Sequence, residues 1–155
     1  MDFTVQTFTS SKHKVGASAL FEYRPDIFPD DEMKQIRDNM DQEPSPAHYK
    51  IVALFENRVV GYCGVIEGLE GRWFIDWFSV HPDYQRAGVG SKLLINVEEW
   101  LKERNISKLY VETCSCDGES VARSFYTAKY FNLQKTEKDG YNLGHSKLTY
   151  VKTLS

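Results

Sequence analysis

The chain predicts a mixed α/β (α+β) domain, with a central, mostly antiparallel sheet flanked by helices. Three observations carry this. Residues 49–80 hold three successive runs rich in β-branched and aromatic side chains, separated by short turn-like segments. Residues 89–104 place Val89, Leu93, Leu94, Val97, Trp100 and Leu101 three and four apart, with Glu98, Glu99, Lys102 and Glu103 largely on the other face, which is helical spacing. That helix lies between strand-like runs at 73–80 and 108–113, and a strand-helix-strand unit of this kind is usually parallel and right-handed.

In order, Phe3, Val5 and Phe8 give a short strand pattern. Ser10 or Ser11 caps a helix to about residue 23, with Val15, Ala19 and Leu20 predicted inward and Gly16 as its weak point. Arg24-Pro25 stops it, and Asp30 or Asp31 opens a second helix carrying Met33, Ile36 and Met40. Glu43-Pro44-Ser45-Pro46 is a loop. Residues 49–55 and 59–66 read as a hairpin around Glu56-Asn57-Arg58, with Gly61 and Gly64 admitting a neighbouring aromatic or a bulge. After the helix at 89–104 and a strand at 108–113, residues 114–118 are a loop. A helix at 119–129 is predicted to turn Val121, Ala122, Phe125 and Tyr126 to one face. Residues 131–137 and 146–154 close the sheet as a hairpin, with 138–145 between them. No internal repeat or low-complexity tract interrupts the chain, which reads as a single domain over residues 1–155.

Composition narrows the function classes. A chain of 155 residues buries a core without staples, and 41% apolar with 26% charged content argues against extensive disorder. The net charge of −3 gives no electrostatic case for a nucleic-acid partner. No apolar run approaches the roughly 20 residues of a membrane helix, no leader is visible, and the odd cysteine count fits a reduced, cytoplasmic protein. Cys114-Ser115-Cys116 is too short a spacing for a usual zinc knuckle, so no metal is expected.

The junction between the 73–80 strand and the next helix carries the chemistry. Gln85-Arg86-Ala87-Gly88-Val89-Gly90-Ser91 ends at a helix start, where unpaired N–H groups and aligned dipoles favour an anion, phosphate above all. Arg86 and Lys92 add positive charge at its rim. The equally weighted alternative is a tight turn in which the glycines only relieve strain. Position 93 is leucine, so this is no dinucleotide fingerprint, and Gly90 is followed by Ser91, so it is no P-loop.

With Val80-His81-Pro82 before it, this junction resembles the central motif of the GNAT family of N-acetyltransferases, Q/R-x-x-G-x-G/A after a strand ending near V-x-P. Ala122-Arg123-Ser124-Phe125-Tyr126 and Tyr130-Phe131 resemble the family's second signature, A-x-x-F-Y-x-x-x-G-F. The resemblance covers about residues 50–153. It implies two parallel strands, 73–80 and 108–113, that splay apart, with acetyl-coenzyme A in the opening. Pantetheine would pair with backbone near Phe78, Ser79 and Val80, and pyrophosphate with the N–H groups of Gln85, Arg86, Ala87, Gly88, Val89, Gly90 and Ser91. A substrate amine would attack the acetyl thioester directly, its developing oxyanion held by a backbone N–H near Phe78 or Ser79.

Tyr126 matches the tyrosine that usually protonates the coenzyme thiolate in this family; otherwise it is part of an aromatic stripe with Phe125. Asp76 interrupts an apolar strand and is a base, a substrate anchor or a structural partner. Period-two spacing puts Phe74, Asp76 and Phe78 on one face, with Trp73, Ile75, Trp77 and Ser79 on the other. Among weaker candidates, His81 reads as a turn residue, and His48 and His145 fall in expected loops. Glu22, Tyr23 and Arg24 end the first helix near the usual acceptor segment. Two positions depart from the family pattern: Glu119 stands where an asparagine usually contacts the coenzyme, and Tyr130 where glycine is usual. The implied acceptor is a small-molecule amine or polyamine. The alternatives are a peptide or protein acceptor, a non-catalytic acyl-coenzyme A sensor, or a scaffold that dimerises through exposed Trp73 and Trp77, and a homodimer is compatible with catalysis.

Overall fold

The structure, a computed structural model, describes residues 2–142 and 144–155. Seven strands hydrogen-bond in the order β1-β2-β3-β4-β5-β7-β6. They are β1 (Thr4–Thr7), β2 (His48–Phe55), β3 (Arg58–Glu67), β4 (Trp73–Val80), β5 (Lys108–Cys114), β6 (Asn132–Asn142) and β7 (His145–Thr153). The helices are α1 (Ser10–Glu22), α2 (Asp30–Met40), α3 (Val89–Glu103) and α4 (Ser120–Ala128). Pairing is antiparallel for β1–β2, β2–β3, β5–β7 and β6–β7, and parallel for β4–β5. The mixed, mostly antiparallel sheet flanked by helices is therefore observed. Two compact units divide the chain: residues up to Ile66 with Asp76–Trp100, and Glu67–Ile75 with Leu101–Ser155.

In the first unit, α1 and α2 pack over Phe8, Val52 and Tyr62, with Phe21, Ile36 and Met40 fully buried. Burying each such side chain is worth about 1.5–3 kcal/mol. Phe8 and Phe21 meet Tyr62 edge-on at 5.6 and 6.4 Å between centroids. The inward stripe of α1 differs from expectation: Ala17, Leu20 and Phe21 are buried, whereas Val15 is 78% exposed. Gly16 explains the rotation. A Cβ there would lie 2.9 Å from Val59 Cγ2, so α1 meets β3 at its glycine and the neighbouring Val15 is turned out. Gly61 plays the same part toward α3, since a Cβ would lie 2.8 Å from Leu93 Cδ1 and Val89 Cγ1. The predicted apolar stripe of α3 is buried at Val89, Leu93, Leu94, Val97 and Leu101, but Glu98, expected on the other face, is buried with them.

In the second unit, the parallel register pairs Trp73 with Leu109, Phe74 with Tyr110 and Ile75 with Val111. It is three pairs long, and β4 continues for five residues to Val80. The closing hairpin is longer than its sequence suggests. Residues 138–142, expected in the connection, belong to β6, because a polar strand can be held by the backbone ladder to β7 without apolar alternation. In α4, Tyr126 is buried but Val121 is 70% exposed. Here Arg123 turns to the preceding loop, donating to the carbonyls of Cys114 at 2.6 Å and Cys116 at 2.7 Å.

The tryptophans do not form an exposed docking face. Trp73 is 5% exposed, and Trp77 packs against Phe21 and Phe28 at 6.2 and 6.4 Å.

Candidate active site

The glycine loop is poised by a histidine. His81 is buried, and its Nδ1 accepts the Asp83 N–H at 3.1 Å, capping the 3-10 turn Pro82–Tyr84 that leads into the loop. Its Nε2 lies 2.9 Å from the Tyr23 hydroxyl and 3.0 Å from Arg58 Nη2. His81 is thus a turn residue, and Tyr23, considered for substrate contact, is its partner. Glu22 lies 3.8 Å from Arg37, and Arg24 pairs with Asp26 at 2.9 Å.

Gln85, Arg86, Ala87 and Gly88 are exposed. Arg86 and Gly88 have φ of 68° and 84°, and nothing lies within 4 Å of where a Gly88 Cβ would stand. Gly88 is therefore required for its backbone angle and not for want of space. The Lys92 N–H donates to the Gly88 carbonyl at 3.0 Å, the first i to i−4 bond of α3. The N–H groups of residues 88–91 precede it and have no intrahelical acceptor, an arrangement that suits an anion. Val89 anchors this turn in the core, while Gly90 and Ser91 are half-buried. Upstream, Phe78, Ser79 and Val80 form the end of β4; the Ser79 hydroxyl donates to the Leu20 carbonyl at 3.3 Å, and the Gln85 amide to the Val80 carbonyl at 3.4 Å.

Asp76 is enclosed by donors. Its Oδ2 lies 2.7 Å from His48 Nε2 and 3.4 Å from Asn39 Nδ2, and its Oδ1 accepts the Trp77 N–H at 2.8 Å. A Cβ on Gly64 would lie 2.5 Å from Asp76 Oδ1 and 2.8 Å from the Tyr62 hydroxyl, so this glycine makes room for both oxygens. Asp76 and Trp77 consequently both reach the helical layer, at Asn39 of α2 and Phe21 of α1. Strict alternation breaks at this point, and the Trp77 N–H donates to its neighbour's carboxylate.

His48, expected in a loop, begins β2 and is buried. Lys50, two residues on, is wholly buried and donates to the carbonyls of Asn39 at 2.5 Å and Gln42 at 2.8 Å, closing the end of α2. Burial pushes its pKa down, against the opposing pull of Asp76 and Glu43. Burial likewise holds the Tyr62 phenol well above its ordinary pKa, with Asp76 adding to the effect. Sequence reasoning missed this cluster because His48 precedes the apolar run and Lys50 reads as a solvent-facing strand residue. Asp76, which interrupts an apolar strand, and Gly64 were the available signals.

Tyr126 belongs to the second unit, 6% exposed, with ring centroids 5.6 Å from Phe125 and 5.3 Å from Phe131. Glu119 accepts from the Cys114 N–H at 3.2 Å and lies 3.7 Å from the Cys116 sulfur. The carboxylate is turned onto its own loop, and burial raises its pKa. The Cys116 thiol is pushed up to about 11 by burial, the Cys114 contact and the Glu119 charge, and is thus protonated at neutral pH. Tyr130 adopts φ of 72°, accepting the conformation for which glycine is usual. His145 is exposed at the start of β7.

A mixed sheet with one short parallel register, and a strand leading through a glycine loop to an open helix start, define an α/β protein whose loop and helix start suit an anion. Residues 17–131 match the model of the Acetyltransferase (GNAT) family, and the chain belongs to that family. It is accordingly an acetyl-coenzyme A dependent N-acetyltransferase. No curated protein matches it in sequence. Its fold is similar to that of a GNAT-family protein from Desulfovibrio desulfuricans, with 19% identity, 99% of this chain and 100% of the other covered, and a TM-score of 0.91. It is also similar to the ribosomal-protein-S18-alanine N-acetyltransferase of Escherichia coli, with 18% identity, 99% and 95% covered, and a TM-score of 0.79. The aminoglycoside 6'-N-acetyltransferase of Enterococcus faecium has 14% identity, 98% and 97% covered, and a TM-score of 0.78.

Proposed function

We propose that this single-domain enzyme transfers the acetyl group of acetyl-coenzyme A to a primary amine of a small molecule or polyamine, by direct attack in a ternary complex. The observation that carries the coenzyme reading is the loop at Gly88: an exposed turn with positive φ, open space above the glycine, and the N–H groups of residues 88–91 outside the helical ladder. These residues fit a pyrophosphate. Gln85, Arg86, Ala87, Gly88, Val89, Gly90 and Ser91 would hold it, and backbone at Phe78, Ser79 and Val80 would take the pantetheine arm. The thioester supplies an activated acyl carbon and a thiolate leaving group.

An ammonium has no lone pair, so the acceptor must lose a proton before attack. Asp76, with its carboxylate set among polar groups of the first unit, serves that side of the reaction. Tyr126 serves the leaving sulfur as acid. The acidic balance of the chain, −3, suits a cationic acceptor. Free thiols at Cys63, Cys114 and Cys116 support a reducing, cytoplasmic setting.

The test is calorimetric titration with acetyl-coenzyme A and coenzyme A, followed by thiol release against polyamines, aminoglycosides and N-terminal peptides. Saturable binding with thiol release driven by polyamines or aminoglycosides is expected. Turnover confined to peptides would replace the small-molecule acceptor, and absence of coenzyme binding would overturn the coenzyme assignment. Tyr126→Phe is expected to fold and bind coenzyme while losing about 10²-fold in turnover; wild-type turnover across pH would remove Tyr126 from the chemistry.

A further inference from the structure

We propose that His48 is the general base of the transfer and that Asp76 is its positioning residue, an assignment that rests on the acetyltransferase reading above. Two features of the buried cluster separate the roles. An ionised carboxylate offers about four acceptor positions. Asp76 commits three, to His48 Nε2, Asn39 Nδ2 and the Trp77 N–H, and the oxygen bonded to Trp77 also sits over Gly64 beside the Tyr62 hydroxyl. Little of it is left to receive a substrate proton.

The His48 ring has the opposite arrangement. Nε2 faces Asp76 at 2.7 Å, and a carboxylate acceptor there selects the Nε2–H tautomer. Nδ1 then carries the lone pair. It has no hydrogen-bond partner among the described residues and is not among their fully buried unpaired atoms, so it keeps some exposure. With the side chain only 9% exposed, the ring is held by packing. The titratable groups gathered around the pair are Lys50 on β2, Tyr62 and Cys63 on β3, and Glu43 in the loop before β2. Asp76 acts electrostatically on the first three, and Glu43 acts on Lys50. Asn39 of α2 contributes an amide and no charge.

The step balances simply. The acceptor ammonium gives one proton to His48 Nδ1, leaving a neutral amine and an imidazolium stabilised by Asp76. The amine lone pair forms the C–N bond, the C–S bond breaks, and its electron pair leaves on sulfur. The second nitrogen proton neutralises the thiolate, through Tyr126 or solvent, and His48 returns its proton to solvent.

The test combines ¹⁵N imidazole spectra of the full-length protein with pH profiles of kcat/KM for wild type, His48→Gln and Asp76→Asn. The wild-type ring is expected as the Nε2–H tautomer. In Asp76→Asn, an amide that donates to Nε2 moves the proton to Nδ1 and removes the lone pair there. Both variants are expected to keep coenzyme affinity and lose about 10²–10⁴-fold in kcat/KM. The wild-type rate is expected to fall on the acid side, and His48→Gln to lack that limb. An Nδ1–H ring in the wild type overturns the dyad without reference to turnover. Near-wild-type rates in His48→Gln, with Asp76→Asn inactive, return the base to Asp76. A wild type that binds acetyl-coenzyme A but acetylates no amine overturns the transfer reading and the base with it, while the spectra still report the tautomer.

Discussion

Replacing Gly88 by alanine separates the conformational demand of the loop from any demand for space. Gly88 has φ of 84°, and nothing stands within 4 Å of the position a Cβ would take. Overpacking therefore contributes nothing. What remains is the left-handed backbone, about 1–2 kcal/mol for an L-residue. Against this, alanine narrows the unfolded ensemble and returns about 0.4–1 kcal/mol. The net loss is at most about 1.6 kcal/mol, which for a domain of this size lowers Tm by no more than about 6 °C. Coenzyme binding suffers more, because an alanine that relaxes to negative φ turns the N–H groups of the loop out of register. A tenfold weaker Kd, about 1.4 kcal/mol, is the expected minimum. Thermal unfolding with and without acetyl-coenzyme A, together with calorimetry, reads both effects. Wild-type Kd would refute the reasoning that this backbone conformation holds the coenzyme, and a Tm loss well above 6 °C would show that the site is not open as described.

Tyr130→Gly removes the same kind of strain at an exposed position with φ of 72°. Its expected effect is stabilisation by about 0.5–1 kcal/mol, seen as a higher Tm; a lower Tm would show that the tyrosine ring repays its backbone. Lys50→Met leaves the carbonyls of Asn39 and Gln42 without their donor and is expected to cost about 2–5 kcal/mol in chemical denaturation. Because the native pKa of Lys50 is depressed, the unfolded chain binds more protons between that value and about 10.4, so wild-type stability gains from this group as pH rises through that window; the variant lacks the gain. Glu119 has the reverse sign. Its native pKa is raised, so its favourable contribution is complete below the unfolded value of about 4.3 and is lost as pH rises through the native one. Glu119→Gln should therefore stabilise the protein at pH 7 relative to pH 4, measured as the difference in denaturation midpoint.

Much of the architecture was legible because period and punctuation agreed. The α3 stripe from Val89 to Leu101 is apolar at helical spacing, and those side chains are buried. Gly61 and Gly64 stood out as interruptions of an apolar strand, and both prove to be places where a neighbour approaches too closely for a Cβ. The α1 stripe misled, since one contact between Gly16 and Val59 outweighed the weak amphipathicity of that helix and turned Val15 to solvent. The hairpin of β6 and β7 hid its length in polar residues, because ladder hydrogen bonds leave no hydrophobic signature.

The sequence alone determined the family, the order of the elements and the loop at Gly88. These are local properties: a strand-turn-helix junction and its glycine are written in consecutive residues, and the open N–H groups at a helix start follow from the turn itself. Tertiary structure decided the company of Asp76. His48 stands 28 residues from Asp76 in sequence and 2.7 Å from it in space, and Asn39 and Gly64 complete the cluster from two further elements. No periodicity links such positions, because strand pairing and helix packing bring them together, and the chemical meaning of a carboxylate depends on which donors surround it.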